Sequence, residues 1–239
     1  MRTAIRLLPA FLLLAFGSSL WATDLDEVVK HMNATSESIK DVQATAKVTR
    51  YDSVFEETRT SARKLFFQRP HLARVDTFET RRGKEVLTQQ FILGKDFTLQ
   101  VWPETRHGEK RLLSPEEIDS LSRDRNDPIS FFARNIDDIR KDFNLELAAS
   151  PAGTPTDSVV LVITPANKEV QFDYAKVVMV IDAKTWLPRS IKSFVGADTD
   201  DWTLYEFTDI KVNPGLKPST FEAPAGIDIE TIQQTKPAN

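Results

Sequence analysis

The sequence predicts a mainly β protein: an antiparallel sheet with a few short helices set into the middle of the strand order. Three observations carry this. From Val42 the apolar residues Val42, Ala44, Ala46 and Val48 alternate with Gln43, Thr45, Lys47 and Thr49, the period-two pattern of a strand with one buried face. Midway, the period breaks at "Ser114-Pro115-Glu116-Glu117-Ile118", which reads as a helix start. After the loop "SPAGTPTD", apolar runs such as "VVLVIT" and "VVMVID" resume the strands.

Ahead of the sheet, residues 1–22 read as an export signal. Arg2 and Arg6 precede the apolar run "LLPAFLLLAFGSSLWA", and cleavage is expected near Ala22–Thr23. Residues 23–239 are then expected to form a single domain. Removing Arg2 and Arg6 takes the formal charge from −4 to −6, which does not suit a nucleic-acid partner. The chain has no cysteine, so it offers neither a lipidation site nor a disulfide framework, and its core must hold it together.

Leu25, Val28, Val29 and Met32 recur at helical spacing behind acidic residues that suit a helix N-terminus. Strands are expected over 42–48 and at about 60–69, 72–78, 85–93 and 96–102, with turns at Arg82-Gly83-Lys84 and Gly94-Lys95-Asp96 and a glycine-free turn near Ser53–Glu57. In the helical middle, Ser114 is the cap, Pro115 the first helical residue and Glu117 the capping-box partner. A second start, "Asp127-Pro128-Ile129", carries Ile129, Phe131 and Phe132. Further strands are expected at about 158–164, 175–182, 186–195 and 202–212. The apolar runs among them predict strands covered on both faces, one by the N-terminal helix and the other by the middle helices or a ligand.

Catalytic and metal signals are absent. His31, His71 and His107 lack zinc-ligand spacing, the acidic tract at Asp198–Asp201 lacks the full calcium-loop pattern, and no nucleophile elbow or phosphate loop occurs. The carboxylates are scattered, so no acid–base pair stands out. No cofactor is expected. A domain with a large apolar inventory and no catalytic grouping points to binding of an apolar ligand rather than to an enzyme.

Three stretches together resemble the LolA family of periplasmic lipoprotein carriers: "KLFFQRPHLARVD", "DPISFFARN", and the C-terminal half from "VVLVITPANKEV" to "FEAPAGIDIE". The resemblance runs in order along nearly the whole mature chain. It implies an incomplete antiparallel β-barrel closed by a lid of short helices. It also implies a function: a periplasmic, monomeric carrier that takes acylated lipoproteins from an inner-membrane ABC-transporter release complex and delivers them to an outer-membrane acceptor. A carrier of free lipid, or an envelope-stress sensor on the same fold, stays open beside it.

The resemblance gives Arg69 a role as the latch that donates to backbone carbonyls of the lid; the alternative is a surface arginine neutralised by a nearby acid. A guanidinium has several donors and helix C-termini leave carbonyls without partners, so the chemistry is apt. Strand parity puts Leu65 and Phe67 on the side of Arg69 and Phe66 on the other. Ala73 and Val75 on the next strand, and the one-faced row Phe97, Leu99 and Val101, complete the candidate acyl-chain cavity. Ile129, Phe131 and Phe132 are the candidate lid residues. Ordinary core packing is the competing explanation for all of these.

Overall fold

The computed structural model describes residues 24–123, 132, 134–167, 174–196 and 200–232. The expected signal and its cleavage point lie outside them, as do Ile129 and Phe131. Helix α1 (Leu25–Ser38) comes first, with Asp24 accepting from the Asp26 amide at its N-terminus and Val28, Val29 and Met32 buried. Six strands follow: β1 (Asp41–Asp52), β2 (Glu57–Gln68), β3 (Leu72–Arg81), β4 (Lys84–Leu93), β5 (Phe97–Trp102) and β6 (His107–Leu112). Then come α2 (Pro115–Arg123) and α3 (Ile136–Ile139). The chain continues through β7 (Phe143–Ala148), β8 (Ser158–Pro165), β9 (Lys176–Asp182), β10 (Pro188–Phe194), β11 (Trp202–Val212) and β12 (Asp228–Ile232).

These twelve strands make one sheet, in the order β12-β6-β5-β4-β3-β2-β1-β11-β10-β9-β8-β7. Two meanders, β1–β6 and β7–β11, join where β1 pairs antiparallel with β11. All neighbours run antiparallel except β12, which lies parallel to β6. Among the described residues the two ends of the order do not pair, so the sheet stays an open, incomplete barrel, the fold class that the sequence predicts.

Turn chemistry fixes the register. At the β3–β4 turn, Arg82 and Gly83 both take positive φ (52° and 76°), as a two-residue hairpin turn matched to strand twist requires. The glycine-free β1–β2 turn uses Asp52 instead, whose Oδ1 accepts from the amides of Val54 (3.1 Å) and Phe55 (3.2 Å). At Gly94 a Cβ would lie 2.2 Å from the Phe97 ring, so any larger residue there would have to displace that ring. At α2 the capping box forms as expected: the Glu117 amide donates to Ser114 Oγ, and the Ser114 amide donates to the Glu117 carboxylate.

Register sorts every strand residue onto one of two faces. On one face, Val42, Ala44, Ala46 and Val48 of β1 lie beside Phe67 and Leu65 of β2, and these beside Ala73 and Val75 of β3. Tyr205 and Phe207 of β11, Ile191 of β10, Met179 of β9 and Leu161 of β8 continue that face. Helix α1, Phe132 and Ile136 and Ile139 of α3 all pack against it in one core cluster. The other face, over β3–β6, is covered by the C-terminal segment, with Phe221 buried and Leu216, Ile227 and Ile229 packed around it.

The structure corrects two expectations here. Strands β8 and β9 are not covered equally on both faces: Leu161, Ile163, Val177, Met179 and Ile181 are buried, whereas on the opposite face Val160 is buried but Val162, Val178 and Val180 stay half-buried. Helices α1 and α3 both sit on the same face, and β-branched valines are at home on a half-exposed strand surface. Strands β6, β7 and β12 were also not expected. "HGEKRL" has no apolar alternation and β12 is a short segment paired beside it, whereas "FNLELA" of β7 does alternate, with Phe143 and Leu145 buried.

Asp182 closes β9 and organises the turn into β10. It accepts from the amides of Lys184 (2.8 Å) and Thr185 (2.9 Å) and from the Arg189 guanidinium. The Thr185 amide above all, then the Lys184 amide and Arg189, hold its carboxyl down to about 2 against the opposing effect of burial. A depressed folded-state pKa contributes stability above the unfolded value that is lost as pH falls through the folded one. Asp182→Asn is therefore expected to cost on the order of 1 kcal/mol at neutral pH, discounted for partial exposure, with the difference from wild type shrinking between about pH 4 and pH 2 in urea titrations.

Candidate functional site

Arg69 leaves the end of β2 where the chain turns into β3. Its backbone amide donates to the Lys40 carbonyl at 2.9 Å. Its side chain reaches back to the end of α1: Nε donates to the Ile39 carbonyl at 2.7 Å and Nη2 to the Ser36 carbonyl at 2.9 Å. Both carbonyls lie at the C-terminus of α1, where the α-helical hydrogen-bond ladder ends; that of Ser36 also accepts from the Ile39 amide at 3.0 Å. These acceptors lie at the end of α1, not in the middle helices from which the resemblance builds the lid. The helix expected from Asp127-Pro128 lies mostly outside the described residues.

Helix α1 is also tied to α3. Asn33 Oδ1 accepts from the Ile136 amide at 2.7 Å, and its Nδ2 donates to Asp137 at 2.7 Å. Arg140 bridges to Asp26 at 2.7 Å. Asn33 thus satisfies an otherwise open amide at the start of α3, beside Asn135, which accepts from the Asp137 amide. Sequence reasoning missed this clamp. The Asn-x-Asp spacing at 135–137 marks the local cap, but nothing in the sequence announces that Asn33, over a hundred residues away, completes it.

The structure brings some of the candidate cavity residues together and separates others. Leu65 and Phe67, 3% and 5% exposed, share the helix-covered face with Val75. Ala73 lies on the same face in a small cluster with Leu93 and Leu113, against which Ile118 of α2 packs. Phe132 is buried in the main cluster, edge-on to Phe207 with ring centroids 5.0 Å apart.

Phe97, Leu99 and Val101 do form a one-faced row, but on the other face. Leu99 pairs with Ile92 and Val101 with Gln90, whereas the helix-covered side of β4 carries Phe91 and Leu93. The row packs with Ile92 and Phe221 beneath the C-terminal segment. This corrects their assignment to the cavity. Strand parity shows which residues share a side within one strand, but only pairing register relates that side to a strand several neighbours away.

The three histidines serve local packing. His31 stacks on Trp186 at 4.5 Å, His71 Nε2 lies 3.1 Å from the Lys95 carbonyl, and His107 stacks near Trp102 at 5.8 Å. Among the described residues, no three metal-ligating side chains converge. No described helix is long and apolar enough to cross a membrane.

No family model matches the chain, and no curated protein matches it. Among solved structures, an uncharacterized conserved protein from Thermus thermophilus is similar at 11% identity and a TM-score of 0.51, over 87% of this chain and 98% of its own. A LolA superfamily protein from Nitrosomonas europaea is similar at 11% identity and a TM-score of 0.41, over 84% of this chain and 99% of its own. A putative outer membrane lipoprotein-sorting protein domain from Vibrio parahaemolyticus is similar at 16% identity and a TM-score of 0.40, over 82% and 94%. At these identities the likeness is one of fold.

Proposed function

We propose that this chain is a non-catalytic periplasmic carrier of acyl chains. It accepts the lipid moiety of a lipoprotein at the inner membrane, from an ABC-transporter release complex, and gives it up to an outer-membrane acceptor, working as a monomer. The observation that supports this best is the construction of the helix-covered face. An open sheet presents a continuous apolar surface, and what covers it is not further sheet but α1, Phe132 and α3, which bury Val28, Val29, Met32, Ile136 and Ile139 against it and are tied at their ends by polar contacts of Arg69 and Asn33. Burying one methylene is worth about 0.8 kcal/mol, so a long acyl chain needs such a shelter to cross water, and displaced helices would expose it. The proposed acyl surface is Leu65, Phe67, Ala73 and Val75, with Phe132, Ile129 and Phe131 as lid and Arg69 as latch.

The test is mass spectrometry of the exported protein under native and then denaturing conditions. An acyl-bearing ligand bound one to one is the expected result. Protein that emerges empty, and then takes up neither an acylated peptide nor an apolar dye, would end this reading.

A further inference from the structure

The helix-covered face does not stay apolar to its end. Going along β2 from Arg69 towards the β1–β2 turn, the residues on this face are Phe67, Leu65, Arg63, Ser61 and Arg59. On β1, Val48 is followed on the same face by Arg50, and Arg50 pairs directly with Arg59. Like charges placed opposite each other in a sheet repel. Here they line a cleft of about 810 Å³ with Val48, Arg63, Thr77 and Tyr205. That volume lies within the range of about 300–1,000 Å³ usual for small-molecule sites. Val48 and Tyr205 also belong to the main apolar cluster, so the cleft abuts the proposed acyl surface.

Charge in the cleft is out of balance. Its two acids are engaged: Glu57 by Arg59 at 2.8 Å and Glu79 by Arg81 at 3.0 Å. Asp201, near enough to feel the charge of Arg50, accepts from the amide and hydroxyl of Ser53. Among the described residues, Arg50 and Arg63 have no carboxylate within 4.0 Å. Arg63 Nη1 donates to the Tyr205 hydroxyl at 2.9 Å, and the guanidinium lies 5.4 Å from the Tyr205 ring centre. Its Nε is buried without a hydrogen-bond partner. A buried donor without a partner is costly, and with Nη1 given to Tyr205 the guanidinium keeps Nη2 to donate to an anion.

We propose that this cleft is the head-group site for an anionic amphiphile, a lipid with a phosphate or carboxylate beside its acyl chain. The head group accepts from Nη2 of Arg63 and relieves the repulsion between Arg50 and Arg59. The chain runs past Val48 and Tyr205 towards Leu65. The inference rests on the carrier reading and narrows its cargo.

The experiment compares hexadecyl phosphate with hexadecanol, the same chain without the anion, and with inorganic phosphate, the anion without the chain. Binding to the full protein is followed calorimetrically below the aggregation concentration of each amphiphile. Wild type is expected to prefer hexadecyl phosphate to hexadecanol by about tenfold or more, the scale of one charge-assisted hydrogen bond. Arg63→Gln is expected to remove most of that preference and leave hexadecanol binding within about twofold. Arg50→Gln, at an exposed position, is read alongside it, so that the result does not hang on the folding of one variant. Equal binding of the two amphiphiles to wild type, or equal weakening of both in the variants, overturns the head-group site and leaves the carrier reading standing. Inorganic phosphate that displaces hexadecyl phosphate at equal concentration marks a simple anion site and overturns the amphiphile. Failure of wild type to bind either amphiphile overturns the inference and the carrier reading together.

Discussion

Arg69→Leu is expected to slow delivery of a preloaded acyl ligand to acceptor vesicles by roughly ten- to hundredfold while uptake persists. The substitution removes two charge-assisted hydrogen bonds from the end of α1, to the carbonyls of Ile39 and Ser36. It keeps the bulk of the side chain and adds apolar surface. The cost, about 1.5–3 kcal/mol, falls on the form in which α1 lies closed over the apolar face. The loaded form, in which the ligand has displaced its cover, does not lose those contacts. Weakening the empty form relative to the loaded one raises the affinity for the ligand by the same free energy. Arg69 is exposed as a residue, which favours the lower end of the range. Transfer is followed by fluorescence of a labelled acyl chain leaving the carrier. A folded variant that delivers at the wild-type rate would show that Arg69 only finishes a helix.

Phe132→Ala is expected to destabilise the empty protein by about 3–5 kcal/mol in urea, and saturating acyl ligand is expected to restore most of the loss. Phe132 is buried in the main cluster and stands edge-on to Phe207, with the ring planes 84° apart. Edge-to-face geometry adds about 0.5–1.5 kcal/mol to the burial of the ring. The alanine leaves a void on an apolar surface, which an acyl chain can fill as a phenyl ring does. If Phe132 is ordinary core, ligand has no access to the void, and the loss stays the same size with and without it. Unfolding curves at several ligand concentrations separate the two outcomes.

Much of the fold is legible in the sequence because the signals are local. The alternation from Val42 gives β1, "Ser114-Pro115-Glu116-Glu117" gives the start of α2 with its capping box, and Arg82-Gly83 gives a tight hairpin turn. Of the strands that escaped notice, β7 does carry a local signal, the alternation of Phe143, Leu145 and Leu147 with polar or small residues, whereas β6 and β12 lack one. His107–Leu112 is polar and becomes β6 because β5 offers it a ladder; Asp228–Ile232 becomes β12 because β6 then presents an edge. The candidate site divides in the same way. Leu65 and Phe67 lie beside Arg69 on one strand, so parity alone relates them. Phe97, Leu99 and Val101 are three strands away, and there parity gave the wrong face.

By itself, the sequence determined that this chain is an antiparallel β protein interrupted by helices, with an arginine at the end of β2 whose chemistry suits helix carbonyls. Period, caps and turns act over a few residues and need no partner. Only the tertiary structure decided which carbonyls Arg69 reaches, that Asn33 caps α3, that the row at 97–101 belongs under the C-terminal segment, and that Arg50, Arg59 and Arg63 share one cleft. Each of these depends on register or on contacts across long stretches of chain. Because the side-chain period of a strand is two, a shift of one residue in pairing moves every side chain to the opposite face.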